Sequence, residues 1–436
     1  MEKIIAFFLS VFTFFASFFG WGGVAEITAG KDDFVPVVRF VVSSDSHVKY
    51  IGDKACNRLS TMIKTAYSIA EADESYNKLD AVVMVGDLTN KGSKDQYVGF
   101  YSAIKSAIKG DTRFIGVVAK SHDCNGMGRD ALEYYTSLTG LPTDSHTVIN
   151  GFHFIGISAS KNKDVHYSPE QIEWLDREIA FAVASDPSKP VFVFQHEHIY
   201  NTVYGSYPDD GWGMKDFTDV LSKYAQVIDI SGHSHYPAND PRAIWQGDFT
   251  AINDGGLAYY EFTFEGQHSY HPENSKDMAQ CLLVEVNAEN SVRVRVLDLT
   301  ADTVAAEYFI ETPSDKTVFT YSQEKRKAEA KAPVFGEEAK LSAAVKGKKV
   351  TLAVNPAEAE KDDKVFLYRF NIKNSAGETV VNEAILSDYY YSLTPQAVSF
   401  ETKVSKGTYT AEVTAEDVWG KESNPLTVQF EINSIC

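Results

Sequence analysis

The chain has 436 residues, more than a single hydrophobic core usually serves, so its length predicts at least two domains. Hydrophobic residues make up 44% and charged residues 23%, which excludes a fibrous or a disordered chain. The net charge of −19 argues against binding to a nucleic-acid scaffold or an anionic bilayer through charge alone. It does not exclude a phosphate-bearing ligand, because bound divalent cations reverse the local field.

The N-terminus has the pattern of an export signal. Lys3 precedes an uncharged apolar run over residues 4–19, and residues 23–25 (GVA) offer a small-x-small cleavage site. The run is shorter than the roughly 20 apolar residues of a spanning helix, so we predict a signal peptide over residues 1–25 and a secreted or cell-surface protein. Glu2 is atypical there, and an uncleaved anchor is the alternative. After cleavage we expect no stable membrane span.

Four cysteines are dispersed along the chain without CxxC spacing, which argues against a zinc ribbon or a redox motif. They are Cys56, Cys124, Cys281 and Cys436. Export would permit disulfides, but the sequence leaves their pairing open. Cys124 is interpreted as a buried or paired thiol rather than a nucleophile.

Between about residues 37 and 232, apolar runs alternate with amphipathic segments. Alternating β and α elements predict an α/β sheet covered by helices, and continuous Val/Ile/Phe runs predict strands buried on both faces. Ser168 is expected to cap a helix that starts at Pro169. Helices are predicted over residues 56–71, 94–108, 129–139 and 169–184.

Strands separated by turns follow Pro237 and are expected to complete a second sheet against the first. They fall at residues 243–245, 249–252, 257–264, 280–286 and 292–297. The first domain is therefore assigned to residues 37–320. Residues 321–333 are charged, poor in large apolar side chains and closed by a proline, so they predict a linker with some helical character.

The C-terminal part, residues 334–436, predicts an all-β sandwich of alternating strands. Residues 407–420 (GTYTAEVTAEDVWG) resemble the late strands of fibronectin type III and related immunoglobulin-like domains. Three roles stay open for this domain: carbohydrate binding, a spacer, or contact with a cell-surface ligand. The strands are expected at residues 341–345, 349–354, 364–372, 398–404, 408–415 and 426–432.

Five polar clusters each follow an apolar run. They are Asp45-Ser46-His47, Gly86-Asp87-Leu88-Thr89-Asn90, Ser121-His122-Asp123, Gln195-His196 and Gly232-His233-Ser234-His235. Any one of them alone is more often a cap, a turn or a surface histidine. Together they predict a metal site at the end of a sheet, where catalytic loops are expected. If the strand ends are extended, residues i and i+2 project the same way, and glycines before two clusters let the backbone turn.

Carboxylates and imidazoles are ligands for borderline divalent metals such as Mn, Fe, Zn or Co. Such metals hydrolyse esters by activating water and neutralising developing charge. The chain has neither a GxSxG nor a GxxxxGK[ST] motif, which disfavours a serine hydrolase and a nucleotide-driven motor. A metal-dependent hydrolase is the leading prediction.

The order of the clusters resembles the signature of calcineurin-like metallophosphoesterases, which is DxH, GDxx, GNH[DE], an isolated His and GHxH. The resemblance covers about residues 38–300. It implies a four-layer α/β/β/α sandwich of two mixed sheets, so that the expected fold class is α/β with this metallophosphatase sandwich and a C-terminal all-β immunoglobulin-like sandwich. It also implies two divalent ions, with Asp87 bridging. The first ion would bind Asp45, His47, Asp87 and His235, and the second Asp87, His196 and His233.

The chain departs from the family at one ligand position. Ser121 stands where the family has the asparagine of GNH[DE], and Lys120 replaces its glycine. Asparagine offers a carbonyl oxygen to the second metal, whereas the shorter serine hydroxyl is a poorer ligand. The second site is therefore either weakened, altered in metal preference or empty, and a mononuclear hydrolase is an alternative.

The resemblance also implies catalytic residues. His122 matches the family histidine near the leaving group or a phosphoryl oxygen, with Asp123 orienting its imidazole as a proton donor. A structural turn pair is the alternative for both. Asn90 is placed either to hydrogen-bond a phosphate oxygen or to cap the next helix. His198 either lines the pocket behind the direct ligands or lies at the surface.

Two further segments have open interpretations. The aromatic stretch over residues 200–212 predicts either a loop that shapes the pocket over the metals or a packed surface loop. Residues 253–256 (NDGG) predict a hairpin turn rather than a ligand.

The expected function is an exported phosphoesterase that hydrolyses a small-molecule phosphomonoester or phosphodiester by attack of metal-bound hydroxide. The alternative is a catalytically degenerate surface binding or adhesion protein that keeps the fold. Retention of the other ligand positions argues against that alternative, since a decayed site should lose several of them.

Overall fold

A computed structural model describes residues 34–360, 363–391 and 397–433. The predicted signal peptide and Cys436 lie outside the described residues. Two six-stranded sheets dominate the region up to Ile310. Its strands are β1 (Pro36–Ser43), β2 (Ala81–Val85), β3 (Arg113–Val117), β4 (Ser145–Ile149), β5 (Phe152–Gly156), β6 (Val191–Phe194), β7 (His198–Ile199), β8 (Gly213–Met214), β9 (Val227–Ser231), β10 (Ile244–Gln246), β11 (Thr250–Asn253), β12 (Phe262–Phe264), β13 (Gln267–Tyr270), β14 (Gln280–Asn287), β15 (Val292–Asp298) and β16 (Thr303–Ile310).

Four α-helices of this region begin and end within two residues of the four predicted helices. A fifth, short helix was not predicted. The cap at Ser168 is confirmed, because its side chain accepts a hydrogen bond from Gln171 N while the Gln171 side chain bonds back to Ser168 N. The helices are α1 (Lys54–Ala72), α2 (Lys94–Ala107), α3 (Asp130–Thr139), α4 (Pro169–Ser185) and α5 (Thr218–Leu221).

The first sheet has the strand order β16-β15-β14-β1-β2-β3, with β1, β2 and β3 parallel and the other neighbours antiparallel. The sequence-based expectation that the late strands complete the second sheet is therefore wrong for β14 and β15, and for β12, which pairs with β13 instead. Strand β16 was not predicted. Strand β14 pairs with β1, because both carry apolar residues on both faces and so suit a central position. Only β10 and β11 join the second sheet, whose order is β10-β11-β9-β6-β5-β4.

The two sheets pack face to face around an aromatic core. The ring of Phe40 lies 4.9 Å from both Phe154 and Phe192, centroid to centroid, in edge contacts. Alternate residues of β1 serve different layers: Phe40 and Val42 face the second sheet, whereas Val41 packs beneath α1–α3. Helix α4 covers the outer face of the second sheet through Leu175. The result is the expected α/β/β/α arrangement.

Helix α6 (Gln323–Glu329) follows, capped by Ser322, and lies within the predicted linker. After it come β17 (Val334–Phe335), β18 (Leu341–Lys346), β19 (Lys349–Val354), β20 (Ala357–Glu358), β21 (Val365–Asn374), β22 (Thr379–Leu386), β23 (Val398–Lys403), β24 (Gly407–Asp417) and β25 (Leu426–Ile432). Sheets β18-β19-β23 and β22-β21-β24-β25 share one apolar core, which makes this region a β-sandwich. Strand β22 was not predicted, because it is a largely exposed edge strand. The fibronectin-like character and the domain boundaries stay predictions.

The sandwich packs on the first region through buried aromatic side chains. Tyr389 Oη donates to Asp240 Oδ2 at 2.5 Å, and Asp240 pairs with Arg242 at 2.7 Å. The Arg242 guanidinium lies 3.7 Å from the ring centroid of Tyr204 and 4.7 Å from that of Phe366, a sandwich residue. The buried ion pair thus joins the sandwich to the aromatic segment at residues 200–212.

Cys56, Cys124 and Cys281 are buried free thiols, in agreement with the structural interpretation of Cys124. Among the described helices, none combines the length and the apolar character that a bilayer span requires.

A buried carboxylate on β14 gathers three arginines of the first sheet. Glu285 accepts hydrogen bonds from Arg39 Nε at 2.6 Å, Arg293 Nε at 2.9 Å and Arg295 Nη2 at 2.9 Å. Arg39 also pairs with Asp73, just after α1. Removing one partner of such a buried cluster leaves charge uncompensated.

We expect Glu285→Gln to lower the free energy of unfolding by about 3–5 kcal/mol, because three buried guanidinium groups would lose their shared carboxylate. Urea denaturation of the full chain measures the change. Glu289→Gln, in the exposed turn between β14 and β15, is the matched control and should change stability by less than about 0.5 kcal/mol. Equal losses in both variants would contradict the role assigned to Glu285.

Candidate metal centre

The five polar clusters meet at one edge of the two sheets. They follow β1, β2, β3, β6 and β9, whose parallel course brings their carboxyl ends to the same side. Three of these strands belong to the first sheet and two to the second, so the site lies across the sheet-to-sheet packing. This placement agrees with the sequence-based expectation.

Asp45, His47 and His235 form the first group of candidate ligands. Asp45 Oδ1 lies 3.3 Å from His235 Nε2 and 3.7 Å from His47 Nε2. The two Nε2 atoms are 3.1 Å apart. These separations bring one oxygen and two nitrogens around a single point.

Asp87, His196 and His233 form the second group. Asp87 Oδ2 lies 3.4 Å from His196 Nε2, which is 3.2 Å from His233 Nδ1. The same carboxylate oxygen is 3.9 Å from His47 Nε2, so Asp87 stands between the two groups. That is the position which the family resemblance implies for a bridging ligand.

The donor set fits divalent cations. Asp45 Oδ1 is fully buried among imidazole nitrogens and has no hydrogen-bond partner, whereas Asp45 Oδ2 is held by His233 N at 2.9 Å. The outer ring nitrogens are bonded to backbone carbonyls: His196 Nδ1 to Val85 O at 2.8 Å and His235 Nδ1 to Tyr259 O at 3.2 Å. Both rings therefore turn Nε2 inward, as metal-binding histidines do.

The charges of the site suit ligation. Burial alone would raise the pKa of Asp45, but His235 and His196 hold that pKa well below its ordinary value. Burial lowers the pKa of His235 to about 4, and burial together with His196 lowers the pKa of His233. Burial would lower the pKa of His196 and of His47 too, but the neighbouring carboxylates raise both, that of His196 well above its ordinary value. A cation that binds here would displace the protons of those two rings.

Five of the candidate ligands adopt left-handed backbone conformations. The φ angles are 52° at Asp45, 48° at His47, 47° at Asp87, 71° at His233 and 57° at His235. The expectation that residues i and i+2 project together from extended strand ends is therefore wrong. The side chains converge because the chain turns at each ligand, in a conformation that non-glycine residues adopt at a cost.

Two glycines permit the close approach of neighbouring loops. Gly86 has a φ of +90°, and a Cβ atom there would lie 2.5 Å from His196 Nδ1. At Gly232 a Cβ atom would lie 1.9 Å from Ser44 Oγ and 2.7 Å from Asp45 Oδ2. Gly232 is thus needed for space, whereas Gly86 is needed for both space and conformation.

Ser121 lies beside the candidate bridging carboxylate. Its hydroxyl donates to Asp87 Oδ1 at 2.5 Å, and His122 N donates to the same oxygen at 3.1 Å. These bonds leave Asp87 Oδ2 to face the imidazoles. In this arrangement Ser121 orients a ligand.

The proposed role of Asp123 as the partner of His122 is wrong. The Asp123 carboxylate is buried and accepts hydrogen bonds from Thr89 N at 2.9 Å and Ala119 N at 3.0 Å. Burial and the charge of Asp87 raise its pKa to about 6. Asp123 therefore ties the loops after β2 and β3 together.

The backbone carbonyl of Asn90 orients His122 instead. His122 Nδ1 bonds to Asn90 O at 2.8 Å, and its ring lies 4.4 Å from that of His47, centroid to centroid. In the neutral ring this bond places the proton on Nδ1 and leaves Nε2 free. Asn90 does not cap the next helix, because α2 begins at Lys94 with Ser93 as its N-cap residue.

His198 lies behind the candidate ligands, as one of its two predicted positions required, and not at the surface. It is fully buried between Ser231 Oγ, 2.9 Å from its Nδ1, and Ser234 Oγ, 2.7 Å from its Nε2. Burial lowers its pKa to about 3. His198 therefore braces the loop that carries His233 and His235.

The aromatic segment at residues 200–212 packs against that same loop. The Trp212 ring lies 5.1 Å from the His233 ring, edge to face. Gly205 approaches so closely that a Cβ atom there would lie 2.8 Å from Ser234 Cβ. The segment thus borders the candidate centre. Around Val203 and Tyr204 it is buried, so it is not a surface loop there.

Sequence reasoning missed two residues that support the site. Asp254 is fully buried, and its Oδ1 accepts a hydrogen bond from Ser44 Oγ at 2.6 Å, whereas its Oδ2 has no hydrogen-bond partner. Through Ser44, Asp254 supports the neighbouring Asp45. Its NDGG context indicated only a turn. Tyr259 stacks on His235, with ring centroids 4.0 Å apart and planes 9° apart. Nothing in the sequence around Tyr259 marks that contact.

Comparison with known proteins agrees with this geometry. The calcineurin-like phosphoesterase family model matches residues 38–237, the range that carries all five clusters. Residues 38–237 are therefore similar to a calcineurin-like phosphoesterase domain. The match ends before β14–β16 and the C-terminal sandwich.

The chain is also similar to a curated relative and to a solved structure. A protein of Arcobacter nitrofigilis, described as a probable glycerophosphodiester phosphodiesterase GpdQ, is 26% identical over 207 residues, which are 44% of this chain and 70% of the relative. Purple acid phosphatase PPD1 from yellow lupin seeds aligns with a TM-score of 0.46 at 15% identity, over 63% of this chain and 53% of that one. The chain thus spans about half of the lupin protein.

A slighter likeness is to the PKD domain of an M14-like peptidase from a Thermoplasmatales archaeon. It covers 24% of this chain and 99% of that domain at 15% identity, with a TM-score of 0.17.

We expect Ser121→Asn to strengthen binding of a second divalent ion, because an amide oxygen is a better neutral ligand than a hydroxyl. Calorimetric titration with Mn²⁺ and elemental analysis after dialysis measure the stoichiometry and the affinity. Ser121→Ala is the matched control and should bind the second ion no better than the unaltered chain. Equal affinities in all three proteins would contradict a role for this position.

Asp229, on β9, is a buried carboxyl beside Gln195. Both of its oxygens lie 3.3 Å from Gln195 Nε2, and burial raises its pKa to about 8. The folded chain therefore keeps the proton at neutral pH, whereas the unfolded chain releases it near pH 4. The stabilisation is complete below about pH 4 and is lost as the pH rises through 8.

We expect Asp229→Asn to flatten the decline of stability with pH. Between pH 5 and 8 the wild-type free energy of unfolding should fall by up to about 1.4 kcal/mol per pH unit more than that of the variant. Urea denaturation at several pH values measures the difference. Parallel curves for the two proteins would contradict a protonated Asp229.

Proposed function

We propose that this chain is an exported, metal-dependent phosphoesterase that hydrolyses a small-molecule phosphomonoester or phosphodiester. The observation that carries the proposal is the fully buried Asp45 Oδ1. It makes no hydrogen bond, although Nε2 of His47, His196 and His235 lie 3.7, 3.9 and 3.3 Å from it. Such an oxygen is costly to bury unless a cation joins it. The family match over residues 38–237 supports phosphoester chemistry.

Two divalent ions fit the two groups of ligands. Asp45, His47 and His235 would hold the first ion, His196 and His233 the second, and Asp87 both. When bound, these ions would supply charge neutralisation and activation of water. The chain's own contribution is to hold the ligands in place before substrate arrives, through left-handed backbone at five positions and carbonyls behind His196 and His235.

His122 is the residue that we propose to act on the substrate directly. Its Nδ1 is committed to the carbonyl of Asn90, so Nε2 is the atom that faces the site. In its protonated form the ring donates Nε2–H to a phosphoryl oxygen or to the leaving-group oxygen. Asp123 supports it indirectly, by fixing the loops that carry His122 and Asn90.

The ester class is left to experiment. The Arcobacter relative is described as a probable glycerophosphodiester phosphodiesterase, which supports testing diesters first. The proposed C-terminal domain, residues 334–436, meets the aromatic segment beside His233 through Tyr389 and Phe366. We therefore propose that it stabilises that edge of the site, besides any cell-surface ligand that it binds.

The Asp87→Asn variant tests the proposal. After removal of metals and addition of Mn²⁺, Zn²⁺, Fe²⁺ or Co²⁺, we expect wild-type chain to hydrolyse bis(4-nitrophenyl) phosphate or 4-nitrophenyl phosphate. Asp87→Asn should lose at least about 100-fold in kcat/KM and bind fewer ions, because the amide replaces the carboxylate shared by both groups. Initial rates and elemental analysis measure the two effects.

Asp95→Asn is the matched control, since Asp95 is an exposed carboxylate in the first turn of α2. It should keep wild-type rates and metal content. A folded wild-type chain without turnover on either ester with any of these ions would overturn the phosphoesterase proposal and favour the binding-protein alternative.

A further inference from the structure

A cavity of about 390 Å³ opens directly beside the candidate centre. His47 and Asn90 line one side of it, and Tyr259, which stacks on His235, lines another. The cavity is of the size that small ligands occupy. A substrate whose phosphoester reached the metal ligands would therefore extend its remaining part into this space.

The cavity is basic, although the chain as a whole carries a net charge of −19. Lys49, Lys54, Arg58 and Lys276 line it. Among its lining residues in the described part of the chain, Asp53 alone bears a carboxylate, and that group is occupied by Lys49 N at 2.7 Å and Cys56 N at 2.9 Å. The positive charge is therefore concentrated where the substrate would lie.

Arg58 is held in place without being neutralised. Its Nη1 donates to the carbonyl oxygens of Leu257 and Ala258, each at 2.6 Å, and its Nη2 donates to Lys276 O at 2.9 Å. All three acceptors are uncharged. Burial lowers the pKa of Arg58, which is the direction expected for a desolvated cation that lacks a carboxylate in contact.

Two of the lysines keep charge available for a ligand. Lys49 is exposed, and its side chain makes no ion pair with any described residue. Lys54 pairs with Asp277 at 2.9 Å, but both side chains are more than 60% exposed, so the pair is weak and exchangeable. An anionic ligand would compete for these ammonium groups.

We propose that this cavity binds a second anionic group of the substrate, a phosphate or a carboxylate, carried by the alcohol part of the phosphoester. The proposal rests on the proposed function and names the substrate class of the same site. Arg58 and the lysines would pair with the second anion while the ester oxygen lies against His122. A neutral or cationic alcohol part would leave these cations uncompensated.

Matched substrates test the proposal in the metal-loaded full chain. O-phosphoserine and phosphoethanolamine differ by a carboxylate, and fructose 1,6-bisphosphate and fructose 6-phosphate differ by a phosphate. If the chain prefers diesters, glycerophosphoserine and glycerophosphoethanolamine replace the first pair. We expect kcat/KM to be at least about tenfold higher for the member with the extra anion, the factor that about 1.4 kcal/mol represents. The two pairs show which anion is preferred.

The double variant Lys49→Gln/Lys276→Gln removes two charges from the cavity without touching a candidate metal ligand. Within each pair, the ratio of kcat/KM for the substrate with the extra anion to kcat/KM for its partner should fall at least about fivefold. The fall should come from a higher KM for the substrate with the extra anion. Lys49→Arg keeps the charge and should keep the ratio. Lys64→Gln, an exposed lysine further along α1, is the matched control and should leave the ratio unchanged.

The outcomes separate the two proposals. Turnover with no preference for the extra anion, or with a ratio that the double variant does not alter, overturns the anion-binding cavity and leaves the phosphoesterase standing. Absence of turnover on every ester tested here and on both nitrophenyl esters overturns the phosphoesterase and the cavity proposal with it. A preference that the double variant abolishes supports both.

Discussion

The candidate centre depends on the burial of two carboxylates, Asp45 and Asp87, among four imidazoles. Against the effect of burial, the charges of His235 and His196 hold the pKa of Asp45 well below its ordinary value, and Asp45 Oδ1 makes no hydrogen bond. Burying an unpartnered ionised oxygen is unfavourable, so the surrounding structure must hold it there. The sheet packing, the glycines and the backbone carbonyls behind the histidines supply that support.

The support is built in layers around the ligands. Left-handed backbone at five ligands costs about 1–3 kcal/mol per residue and persists only where packing enforces it. Gly86 and Gly232 allow two loops to touch, while Asp123 ties the loops after β2 and β3. These contacts hold the candidate ligands in place, which is the preorganisation that electrostatic catalysis by the proposed phosphoesterase would require.

The two sides of the centre differ in chemistry. On the side of His233, buried aromatic side chains and the Asp240–Arg242 ion pair connect the centre to the C-terminal sandwich. On the side of His47, the cavity is open and basic. In the proposed phosphoesterase, the side of His233 would position the ligands, and the basic cavity would select an anionic substrate in spite of the net negative charge of the chain.

The sequence by itself determined the alternation of strands and helices, the capping of α4 and which polar clusters supply the candidate ligands. These follow from local patterns: apolar runs, a capping box and polar residues at strand ends. Only the tertiary structure decided that β14–β16 extend the first sheet, that Asp123 faces Thr89 rather than His122, and that Asp254 backs Asp45. Those features depend on which segments distant in sequence come together, and in the sequence of this one chain no local pattern of spacing or polarity encodes that choice.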